Sequence, residues 1–139
     1  MTSPDGPDVL ILHPAISFLG RLMFTLVFFA SGVTHFTNLD GFVALMPEVI
    51  PFREFWVIIS AVVELVGALM ILTNIMPRLG GWLIVLFLIP VTIVVHGAAI
   101  ANATDPRMVQ IQMSFFLKGV AMTGAALLIT QLGVRRKMS

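Results

Sequence analysis

Four stretches of this chain stay apolar for close to the length of a membrane-crossing helix, and each is broken by very few ionisable residues. Residues 17–36 carry Arg21 and His35, residues 55–73 carry Glu64, residues 82–101 carry His96, and residues 108–129 carry Lys118. A hydrocarbon layer about 30 Å thick needs ~20 residues of helix. The pattern therefore predicts four membrane helices over about 15–36, 52–73, 79–101 and 108–132. Between the first two, residues 41–51 read GFVALMPEVIP: apolar, too short to cross, and split by Pro47 and Pro51. This predicts an interfacial or re-entrant segment over the outer mouth of the bundle. Pro90 should bend the third helix, because it removes one backbone bond to the Leu86 carbonyl. Gly67, Gly97 with Ala101, and Ala121 with Ala125 are the candidates for close helix contact.

Composition agrees with this all-α class. Of 139 residues, 58% are hydrophobic and 11% charged, too little polar surface for a soluble domain of this size. One membrane domain over 15–132 is expected. It is flanked by a mobile cytoplasmic tail at 1–14 and a basic cytoplasmic tail at 133–139. The first tail has no Lys or Arg, which makes a poor leader for a cleaved signal peptide. Arg21, Arg78, Arg135, Arg136 and Lys137 fall on one side of the predicted bundle, and Arg53 and Arg107 on the other. That asymmetry puts both termini in the cytoplasm. The net charge of +1 gives no nucleic-acid footprint, and the absence of cysteine excludes thiol redox chemistry and Cys-held iron–sulfur clusters.

The intramembrane polar groups are the candidate site. A charge in hydrocarbon costs at least a few kcal/mol, so such residues face a bundle interior or one another. At 1.5 Å of rise per residue, Glu64 and Lys118 both lie roughly 15 Å in from the outer side, which predicts an ion pair at mid-depth. His35 and His96 share a level nearer the outer side. Ser60 precedes Glu64 by four residues, and Gln110, Ser114 and Lys118 follow one stripe at the same spacing. If the stripes converge, Glu64, Lys118, His96, His35, Ser60, Ser114 and Gln110 line a ligand or proton pocket that opens outward. The alternative is that each small hydroxyl bonds to its own helix backbone.

Several of these residues also carry a family resemblance. SGVTHF closes the first helix, MPEVIP follows in the loop, and VVELVGALMIL lies in the second helix. RLGGW opens the third helix, VVH comes near its end, and QMSFFLKGVAM lies in the fourth. In order and spacing the chain resembles the DoxX family of small four-helix membrane proteins over about 17–132. The resemblance implies a multi-pass protein of the bacterial cytoplasmic membrane, with polar helix positions at Arg21, His35, Glu64, His96 and Lys118. Family members often have Asn where this chain has Gly119. Some relatives are subunits associated with thiosulfate:quinone oxidoreductase.

Residues and resemblance together suggest an accessory subunit of a membrane redox complex, with a polar pocket for a small or quinone-like ligand. A proton-coupled transporter and a structural or assembly subunit are the alternatives, and bis-histidine haem on His35 and His96 is a further one. No hydrolase triad, phosphate loop or zinc spacing is present, so a non-catalytic subunit is favoured over an autonomous enzyme. No intrinsic cofactor or metal is expected beyond a bound quinone. The expected partners are the lipid bilayer and other membrane subunits or further copies of the chain.

Overall fold

The computed structural model describes residues 13–131, and every regular element in that range is helical. Helix α1 spans Pro14–Thr37, α2 spans Leu39–Leu45, α3 spans Arg53–Thr73, α4 runs without interruption over Pro77–Asn102, and α5 spans Pro106–Gln131. Four of these, α1, α3, α4 and α5, are long and apolar enough to cross a membrane. The two expected tails lie almost wholly outside the described residues.

Local sequence explains most of the boundaries. Proline opens α1, α4 and α5, where its missing N–H costs nothing and its fixed φ suits the first turn. Asn74 ends α3 in the left-handed conformation that asparagine tolerates better than most residues. The loop expected over 37–51 is more ordered than its prolines suggested. Leu39–Leu45 forms the short helix α2, which packs against α3 and the end of α1. In α4 the disturbance expected at Pro90 takes a definite form: Val91–Gly97 is wound as π-helix directly after it. Widening the turn is one way a helix absorbs a lost backbone bond.

The four long helices pack in chain order, α1 on α3, α3 on α4 and α4 on α5, so α1 and α5 are the ends of the series. Their main core is Phe28, Ala68, Ile71, Ile84, Val85, Phe87, Leu88 and Ala126. Close approach of backbones holds the series together, as expected where lipid removes most of the hydrophobic drive between helices. At the α3–α4 crossing, a Cβ on Gly80 would lie 2.7 Å from the Gly67 carbonyl oxygen, and a Cβ on Gly67 would lie 3.1 Å from that of Gly80. At the α4–α5 crossing, Gly81 meets the backbone of Ala126 and Thr130. Gly67 therefore acts as the sequence predicted. Gly97 and Ala101 do not: a Cβ on Gly97 would meet nothing nearer than 3.8 Å, and Ala101 is exposed. Ala121 is exposed too, and the buried alanine on α5 is Ala126.

Two arginines join neighbouring helices at the side opposite α2. Arg21 Nη1 donates to the Leu72 carbonyl at 3.0 Å and to that of Ile71 at 3.4 Å, and Arg78 Nε donates to the Thr130 carbonyl at 2.8 Å. The Arg21 bonds satisfy carbonyls that the C-terminus of α3 leaves without partners.

Gly80→Ala should destabilise the protein by about 1–3 kcal/mol, because the obstructing atom is backbone and cannot swing aside. Gly124→Ala should change stability by less than ~0.5 kcal/mol, since nothing lies within 4 Å of its would-be Cβ. Reversible unfolding of both variants in mixed micelles checks the contrast. Equal effects would contradict the Gly67–Gly80 contact.

Candidate functional site

The intramembrane polar residues form two separate clusters rather than one pocket. The first lies between α1 and α3, beneath α2. Glu64 projects from the middle of α3 and is 1% exposed, and His35 comes from the last turn of α1 and is 6% exposed. His35 Nδ1 stands 3.7 Å from Glu64 Oε2, too far for a hydrogen bond but within ion-pair range. That nitrogen also lies 2.8 Å from the Ser31 carbonyl. A carbonyl only accepts, so Nδ1 carries a proton and donates it there, leaving Nε2 as the second functional atom of the ring. The Ser31 side chain adjoins the Glu64 carboxyl.

Aromatic rings close the site. Phe42 of α2 stacks on the imidazole at 3.9 Å between centroids, and Phe87 of α4 meets it edge-on at 6.3 Å. Glu64 Oε2 is buried without a hydrogen-bond partner. Buried polar atoms nearly always have one, which makes the Glu64 carboxyl the candidate centre of a site.

The second cluster joins the π-helical part of α4 to α5. His96 Nδ1 and Gln112 Oε1 are 2.9 Å apart, with the ring nitrogen donating. The His96 ring stacks on Phe115 at 5.5 Å, and Lys118 Nζ sits 5.6 Å from the centre of that same ring. Thr92 is 4% exposed, and its hydroxyl presses on Gly119 with no hydrogen-bond partner.

The predicted Glu64–Lys118 pair is not formed. Among the described residues the basic side chain nearest the Glu64 carboxyl is His35, and Lys118 is exposed. Depth along the helices was not the difficulty. Helix α5 is separated from α3 by α4, and it turns Gly119 rather than Lys118 toward α4. Adjacent helical residues point about 100° apart, so one position decides the matter.

Nor do the smaller predicted residues converge on a common pocket. Ser60 Oγ donates to the Val57 carbonyl at 2.8 Å and Ser114 Oγ to the Gln110 carbonyl at 3.0 Å, so both satisfy themselves on their own helices. Gln110 is exposed, and Gln112 is the glutamine that reaches another helix. Its signal was present in the sequence: Gln112, Gly119 and Ala126 recur every seven residues and share one face of α5. The two clefts that stand out lie elsewhere. One of about 390 Å³ is lined by Val43, Phe52, Arg53, Glu54 and Phe55, and the other, about 460 Å³, is an apolar groove along α4 from Trp82 to Pro90. His35 and His96 belong to different clusters, each held through its Nδ1.

The DoxX family model matches residues 16–97, more than half of the chain. The chain belongs to the DoxX family. Its match includes α1, α2, α3 and α4 as far as the end of the π-helical segment, and therefore every residue around Glu64 in this DoxX protein. Comparison with curated proteins and with solved structures found no match.

The Phe42 lid has a measurable consequence. In bilayer-reconstituted protein, His35 should react with diethylpyrocarbonate far more slowly than in the Phe42→Ala variant, where one face of the ring is uncovered. Peptide mapping of the modified histidine provides the readout. Equal rates would mean that α2 does not cover the site.

Proposed function

We propose that this DoxX protein is a non-catalytic subunit of a membrane redox complex, and that its Glu64–His35 pair holds the polar head of a small, quinone-like ligand. The orphaned Glu64 Oε2 carries the reading. A carboxyl oxygen accepts a hydrogen bond when ionised and can donate one when protonated, so its partner is the hydroxyl of a quinol head or the carbonyl of a quinone. His35 Nε2 supplies a second polar contact nearby, and Phe42 and Phe87 supply flat apolar surfaces of the kind that line sites for aromatic head groups.

Access is under α2. That helix has no buried residue, and it is followed by Phe52 in a left-handed conformation that costs a non-glycine residue energy. Displacing α2 exposes His35 while leaving the four long helices in place. A through-path for protons or solute is less well supported. On the far side of Glu64 the interior is filled by Phe28, Ala68 and Ile71, each at most 2% exposed.

A short-chain benzoquinol titrated into nanodisc-held protein should bind saturably, read as quenching of Trp fluorescence. Glu64→Ala should weaken binding by about tenfold or more, equivalent to ~1.4 kcal/mol for a lost buried hydrogen bond. Lys118→Gln should bind like the parent. Absence of saturable binding, or identical binding by Glu64→Ala, would refute the proposal.

A further inference from the structure

The second cluster contains a cation that the fold does not neutralise. Lys118 lies twelve residues along α5 from Pro106, roughly 18 Å by helical rise and close to the middle of a 26-residue helix. It is exposed, and among the described residues no carboxylate comes within ion-pair distance of it. Its one favourable contact is the face of Phe115, a turn nearer the α2 end. Cation–π attraction is too weak to offset leaving an ammonium group among acyl chains. Gln110 and Ser114 are exposed on the same stripe, so α5 shows lipid a polar track ending in a charge.

We infer that this face of α5 is the docking surface for a different membrane protein, through a transmembrane helix that places a carboxylate at the depth of Lys118. Charge complementarity selects the occupant. Asp40, Glu48, Glu54 and Asp105 all lie in or beside the segments at the α2 end, well above Lys118. Glu64 does lie at mid-depth, but it is 1% exposed and engaged by His35. A second copy of this chain therefore has no described carboxylate to offer, and a two-fold contact through α5 would set Lys118 against its own like charge. Anionic lipid head groups lie at the interface, about two to three turns away from this depth. Helix α5 is also the end of the packed series, so a further helix can be added there without displacing one. Ala121, exposed on the same face and one turn beyond Lys118, allows a close approach.

The inference rests on the subunit part of the reading above and is independent of any ligand at Glu64. Its test uses a synthetic oligo-leucine transmembrane helix with one central Glu. The helix is fluorescently labelled and mixed with labelled full-length protein in phosphatidylcholine vesicles, where energy transfer reports association. The Glu helix should associate with the parent protein about tenfold or more tightly than an all-Leu helix does, and Lys118→Gln should erase that preference. Lys118→Glu should reverse it in favour of a helix with a central Lys. Equal association of the Glu and Leu helices, or a preference retained in Lys118→Gln, would overturn the inference. Quinol binding at Glu64 moves with none of these outcomes.

Discussion

A carboxyl group halfway along a lipid-embedded helix has to be taken out of the lipid, and the rest of this structure is organised around doing so. Glu64 is covered by α1 on one side, through Ser31 and His35, while Phe42 of α2 and Phe87 of α4 close over the imidazole beside it. That cover requires the helices to approach closely. Gly32 on α1 abuts Leu65, the residue after Glu64, and Gly67 on the next turn lets α4 reach the α3 backbone. A bulky residue at any of these positions would part the helices that shield the acid. The glycines and the carboxyl are thus two halves of one constraint.

The α2 segment follows from the same requirement. The open end of the bundle beside Glu64 is covered by a short helix rather than by another span. Leu39–Leu45 lies against α3, places one aromatic ring on His35, and buries none of its own residues completely. It is therefore the least firmly held element around the acid, which is where local opening is expected to begin. The second polar cluster is of another kind. The π-helical turns of α4 bring His96 to Gln112 and Phe115, and Lys118 stands at the margin of that contact rather than inside it.

Much of the fold was legible in the amino-acid sequence because length and hydropathy alone specify a membrane helix. The four spans, the disturbance at Pro90 and the close contact at Gly67 all follow from residue type and spacing. The candidate site was legible only in part. Glu64 and His35 announce themselves, since an acid or a histidine in an apolar stretch must find company. Which partner each finds depends on the order in which helices pack, and helical periodicity carries no information about that. Equal depth made Lys118 a plausible partner for Glu64, yet α4 intervenes between their helices. The hydroxyls of Ser60 and Ser114 misled for a related reason: a serine in a helix can satisfy itself locally, so its presence on a polar stripe does not mean that the stripe faces inward. Phe42 lies in the segment expected over the outer mouth, but nothing in the sequence singled out its ring as the one that meets His35.

Solid-state NMR on bilayer-embedded protein offers the most direct examination of the central pairing. It would measure dipolar couplings from a ¹³C label on the Glu64 carboxyl to ¹⁵N on His35 Nδ1 and, in a separate sample, on Lys118 Nζ. The 3.7 Å contact between Glu64 Oε2 and His35 Nδ1 predicts a strong coupling to the imidazole and none resolvable to the ammonium. A strong coupling to Lys118 with none to His35 would contradict the account.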